Sequence, residues 1–86
     1  GNMGAMVAIQ AETDFVAKHA DFKALADDLA MHIAAMEPAD KETLLAQPFI
    51  KDPAVTIDDL IKQVTQKFGE RVDILRFVRV DVSAGE

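Results

Sequence analysis

Residues 71–82, RVDILRFVRVDV, are the strongest β-forming run in the chain, and they need a partner strand. A lone strand leaves a row of backbone donors and acceptors unpaired, and little else in the sequence can supply the second strand. Only MVAIQA, residues 6–11, alternates and carries β-branched residues in the same way, at Val7 and Ile9. The two β segments stand at opposite ends of the chain, so what lies between must bring the ends together. The C-terminal run has a peculiarity of its own. Val72, Ile74, Val78, Val80 and Val82 share one parity, while Leu75 and Phe77 are apolar on the other. That mixture predicts either a strand covered on both faces or a bulge near Arg76.

The intervening stretch is helical by period. From His19 to Met36, the residues Phe22, Leu25, Ala26, Leu29, Ile33 and Met36 recur at three- and four-residue steps and form one apolar stripe. Thr13 or Asp14 is placed to cap the start of this region, and Pro38 forbids its continuation. A second stripe, Ile57, Leu60, Ile61, Val64 and Phe68, begins after Thr56, a good N-cap, and ends at Gly69, a natural C′ residue. Between the helices, residues 39–55 read as a connector. Asp40 to Ala46 predict a short helical turn with Leu44 and Leu45 inward. The prolines of QPFIKDP predict an extended segment, with Phe49 and Ile50 pinning it to the core. The expected fold class is therefore α+β, two-layered, with an antiparallel sheet backed by helices in the order β-α-α-β. Residues 1–5 read as a ragged start, and residues 6–86 as the domain. Two strands make a marginal sheet, so a homodimer is expected to complete it.

Charge and composition remove several function classes. The chain has 86 residues with a net charge of −6, which argues against a phosphate-backbone partner; Arg71, Arg76 and Arg79 are expected to pair with acids across strands. There is no cysteine, and the two histidines, His19 and His32, lack the local spacing of a metal pair. Ser83 is the only serine, and no glycine-rich phosphate loop is present. Neither an enzyme, a cofactor nor a metal is expected. No apolar run is long enough for a membrane span and no signal-peptide pattern occurs, so a soluble, cytoplasmic domain with no membrane partner is expected.

One short stretch, AETDFVAKHADF (residues 11–22), raises a question that period alone leaves open. It puts Phe15 directly behind an acid, Asp14, where a β pattern gives way to a helical one. Taken by itself, Asp14 is a helix-start acid and Phe15 a core or staple residue. His32 lies at the margin of the apolar stripe, about 20° from Leu25 on a helical wheel, and by itself reads as a partly buried structural histidine. His19 reads as solvated.

Taken in order, AETDFVAKHADFKALADDLAMHIAAMEP, LLAQPFIKDPAVTIDDLIKQ and KFGERVDILRFVRV resemble the core domain of the bacterial translation elongation factor Ts family. The resemblance spans roughly residues 6 to 82. It implies an α+β core of antiparallel strands backed by helices, some members being dimers through packed core sheets. It also implies guanine-nucleotide exchange on the GTPase elongation factor Tu. In the family the TDF corner enters the nucleotide-binding domain of that GTPase, beside its magnesium and phosphate site. The matching positions are Thr13, Asp14, Phe15 and Val16, and the MHIAAM stretch adds His32 as a second contact. The helical domain, first hairpin strand and helical insertion of full-length members have no counterpart here, so the chain reads as an excised or naturally shortened core. The alternative is a self-association module without exchange activity of its own.

Overall fold

The computed structural model describes residues 3–81. Its elements are β1 (Met3–Ala11), α1 (Asp14–Ala17), α2 (Ala20–Met36), α3 (Lys41–Ala46), β2 (Pro48–Phe49), β3 (Asp52–Thr56), α4 (Ile57–Phe68) and β4 (Val72–Asp81). The two β-forming ends do meet: β1 and β4 pair antiparallel along their whole length, from Met3 opposite Asp81 to Ala11 opposite Val72. The strand begins at Met3, so part of the stretch expected to be ragged is ladder. Gly1, Asn2 and residues 82–86, including Val82 and Ser83, lie outside the described residues.

The parity conflict in the last strand resolves as a bulge. Ala8 pairs with Arg76 and the next residue, Ile9, pairs with Ile74, which leaves Leu75 as the extra residue of β4. An inserted residue flips the alternation of everything beyond it. Val72 and Ile74 therefore face the core, and after the bulge Phe77 and Arg79 take over the inner face. Val78 and Val80 are sent to the outer face, where they are exposed with Leu75 and Met6.

The helical stripe of α2 packs on β1 and touches β4, while α4 contacts β4, α3 and β3. Leu29, Ile33, Leu44, Ile57 and Ile74 are fully enclosed where these elements converge. Both long helices begin and end on defined caps. The Thr56 hydroxyl accepts from the Asp59 N–H at 3.1 Å, and the Asp59 carboxylate accepts from the Thr56 N–H at 3.0 Å, a reciprocal capping box. Gly69 closes α4 at φ 65°, a left-handed conformation that costs glycine nothing sterically. Glu37 closes α2 at φ 52° just before Pro38.

Among the described residues the architecture is a small α+β unit with two antiparallel two-stranded sheets, and it departs from the expected β-α-α-β order in the connector. QPFIKDP does not simply run extended. It folds back as a ribbon in which Pro48 pairs with Thr56 and Phe49 with Asp52. Phe49 is buried as expected, but Ile50 stands at the turn and is 42% exposed, because it follows an inward residue where the chain reverses. Among the described residues, the ion pairs that two of the arginines make are not the expected cross-strand ones. Arg79 reaches Glu37, the residue that closes α2, at 2.6 Å, and Arg71, just before β4, lies 3.7 Å from Asp73 two residues further along the chain.

Candidate functional site

The passage from β1 to α2 is two helical starts rather than one. Thr13 is the N-cap of α1, with extended φ −131° and ψ 158°, yet its side chain makes no cap hydrogen bond. The hydroxyl is otherwise engaged: Thr13 Oγ1 donates to Glu70 Oε2 at 2.7 Å, and the Thr13 N–H donates to Glu70 Oε1 at 3.0 Å. After a single turn the chain leaves helical geometry at His19 (ψ 145°), whose Nδ1 accepts from the Asp21 N–H at 3.1 Å and so caps α2. The corner is a one-turn helix held between two non-helical residues.

One turn cannot bury two consecutive residues on the same side, and here the split is sharp. Val16 is 1% exposed and belongs to the core, whereas Phe15 is 73% exposed. Phe15 is therefore neither the core residue nor the staple that capping rules suggest. Asp14, in the first turn of α1 where the helix dipole favours an acid, is also exposed. Thr13, Asp14, Phe15 and Val16 are thus brought together at one protruding corner, with Val16 as its root.

His19 is not the free solvated residue expected. Its ring stands edge-on to Phe68 at 4.8 Å and lies 6.2 Å from Phe15, so it bridges the exposed phenylalanine to the end of α4. Next to it, Lys67 pairs with Asp21, and that hydrogen bond is the main reason the Asp21 carboxyl is held below its ordinary range. On the other side of the corner the Arg71 N–H donates to Glu12 Oε2 at 2.7 Å.

His32 sits elsewhere, in the last turns of α2, and is 0% exposed. Its Nδ1 accepts from the Ile50 N–H at 3.2 Å, so the proton of the neutral ring is on Nε2, which donates to Gln47 Oε1 at 2.9 Å. Phe49 packs beside the ring at 6.0 Å. With both nitrogens satisfied, this histidine ties α2 to the β2–β3 ribbon. Its enclosure is complete in this conformation.

A second surface lies apart from the corner. The face of the β1–β4 sheet away from the helices exposes Met6, Leu75, Val78 and Val80, with Met6 directly opposite Val78. Parity alone could have revealed it, had the bulge been placed at Leu75 and its consequence followed. Among the described residues no group of acids and histidines is arranged to hold a metal ion, and no helix is long and apolar enough to cross a membrane.

Residues 12–86 match the family model described as Elongation factor TS. An elongation factor Ts of Desulforamulus reducens is 35% identical over 130 residues, an alignment that takes in 99% of this chain and 60% of the relative. Those of Trichlorobacter lovleyi and a Nostoc species are 39% and 38% identical, covering 99% and 91% of this chain but 27% and 24% of the relatives. The chain thus spans less than two thirds of the length of the curated relatives it matches, 60% in the first case and about a quarter in the others. The alignment with the Desulforamulus protein is longer than the chain itself, so that relative has internal sequence with no counterpart here.

Proposed function

Because the chain belongs to the elongation factor Ts family, we propose that it is the part of such a factor that binds the GTPase elongation factor Tu and promotes GDP release, with Asp14 and Phe15 as the leading contact. The observation that carries this reading is the exposure of a large aromatic ring at a corner whose neighbouring residue is rooted in the core. A solvent-facing phenylalanine on a firm base is suited to insertion into another protein's pocket, and the acid before it adds a directed charge.

The coupling is thermodynamic. A corner that fits the nucleotide-free form of the GTPase better than the GDP form weakens GDP binding by the same factor by which GDP weakens its own binding. Magnesium bridges the nucleotide's phosphates to the GTPase, so disturbing its surroundings lets GDP leave without any covalent change. No residue of this chain acts as an acid, base or nucleophile in that process. Thr13 orients the corner, Val16 anchors it, and His32 supports a second contact from behind by fixing the α2 and ribbon surfaces around it.

Isothermal titration of the chain into elongation factor Tu tests this reading, once with nucleotide removed and once with GDP and magnesium bound. Tighter binding to the nucleotide-free form, lost on Asp14→Ala with Phe15→Ala, is expected. Equal affinity for both forms overturns it, since a ligand without differential affinity shifts nothing.

A second activity, self-association, is favoured by the exposed sheet face of Met6, Leu75, Val78 and Val80 and by a sheet of only two strands among the described residues. A second copy packed on that face covers the apolar stripe and gives the thin sheet a second layer. Sedimentation across a concentration series is the direct check.

A further inference from the structure

The stretch around the α4–β4 turn meets the corner residue for residue in reverse order. Lys67 pairs with Asp21, Phe68 with His19, Glu70 with Thr13, and the backbone of Arg71 with Glu12. The two segments are 46 to 59 residues apart in sequence across these hydrogen-bonded pairs, so this is a tertiary brace and not local turn chemistry. The geometry points to Glu70 as a positioning residue for the Asp14–Phe15 contact, with Phe68 acting through His19 as its second strut. This inference rests on the reading of that corner as the partner contact.

The physical case is pre-organisation. A single helical turn has almost no stability of its own, because helix nucleation costs more than one turn returns. Left to itself, residues 13–17 would sample many conformations, and ordering them on binding would be subtracted from affinity. Glu70 removes that freedom at its first residue. One carboxylate takes both the N–H and the hydroxyl of Thr13, at 3.0 and 2.7 Å, fixing the backbone entering the turn and the orientation of the side chain together. Charge-assisted hydrogen bonds of this kind are among the stronger ones, and two on one group restrict rotation as well as distance. The ring of His19, held edge-on by Phe68 and capping α2 through Nδ1, limits the exit from the same turn and stands behind Phe15.

Glu70 could instead serve only general stability, and the test separates the two roles. Amide hydrogen exchange at Thr13 and backbone order parameters at Asp14 and Phe15 are measured on the free chain, and acceleration of GDP release on elongation factor Tu alongside. Glu70→Ala is expected to speed Thr13 exchange and slow the catalysed GDP release, each by about tenfold. Glu70→Gln, whose amide can accept from the N–H and donate to the hydroxyl, is expected to restore both. Phe68→Leu is expected to lower order at Phe15 while leaving Thr13 protected. Unchanged Thr13 protection in Glu70→Ala overturns the clamp, and lost protection with unchanged GDP release overturns the positioning role. If Glu70→Ala does not fold, Glu70→Asp, too short to reach both groups, carries the same comparison. A wild-type chain without effect on GDP release overturns the functional reading, and the exchange and order data then decide the clamp alone.

Discussion

Phe15 and Val16 are adjacent in sequence and opposite in environment, the first 73% exposed and the second 1% exposed at the core. The difference separates function from folding at neighbouring positions. Phe15→Ala is expected to change unfolding free energy by less than about 0.5 kcal/mol, as substitution of an exposed side chain outside the core does. Val16→Ala is expected to cost about 2 kcal/mol from lost burial and the cavity left behind. Urea denaturation of the two variants measures both.

His32 holds two elements through both ring nitrogens. Replacing it with leucine keeps the volume but leaves the Ile50 N–H and the Gln47 side chain without their partner where water reaches them only in part. A loss of about 2–3 kcal/mol is expected by chemical denaturation, with the ribbon residues 48–56 exchanging their amides faster than α4.

The capping box makes one end of α4 sensitive to acid. Hydrogen bonds from the Thr56 backbone and side chain hold the Asp59 carboxyl below its ordinary value, and the Thr43 N–H does the same for Asp40 at the start of α3. For a carboxyl depressed in the folded state, the stabilisation is complete above the unfolded value and is lost as pH falls through the lower folded one. Wild-type stability is therefore expected to decline between about pH 4 and lower pH, and Asp59→Asn to be less stable at about pH 6 but to decline less steeply. Thermal melts followed by circular dichroism at the two ends of that range give the comparison. A parallel decline in both proteins would exclude Asp59 as a contributor.

The outer face of the β1–β4 sheet should respond to a single charge. Val78→Lys places an ammonium opposite Met6, in the middle of the exposed apolar stripe, while leaving the inner face untouched. If copies pack on this face, the variant is expected to sediment as a monomer at concentrations where the wild type associates, with its melting temperature measured on the monomer little changed. Identical sedimentation of the two would remove this face from any self-association.

What could be read in the sequence follows the range of the interactions concerned. The stripes of α2 and α4, their stop at Pro38 and Gly69 and the Thr56 cap are local, and local spacing declares them. The bulge is legible too, because a break in parity is itself a local signal, although parity leaves two explanations open and only the pairing of Ile9 with Ile74 decides between them. In the sequence the ribbon at 48–56 is legible only as an extended connector, since two prolines predict extension and do not say what the strand will pair with. At the corner, residue types suggested a cap at Thr13, but the hydroxyl goes to Glu70, 57 positions away, and no spacing rule reaches that far. The exposure of Phe15 had the same cause: one turn of helix gives no period from which to tell its inside from its outside. Resemblance to a family supplied the functional expectation there, not the pattern of the residues.

The most direct measurement is release of a fluorescent GDP analogue from elongation factor Tu, in stopped flow, with the chain in excess. Acceleration that disappears in the Asp14→Ala, Phe15→Ala double variant, while that variant keeps the wild-type circular dichroism, is the predicted result. Acceleration that survives in the double variant would contradict the assignment of exchange to this corner, and no acceleration by the wild type would contradict exchange by this chain altogether.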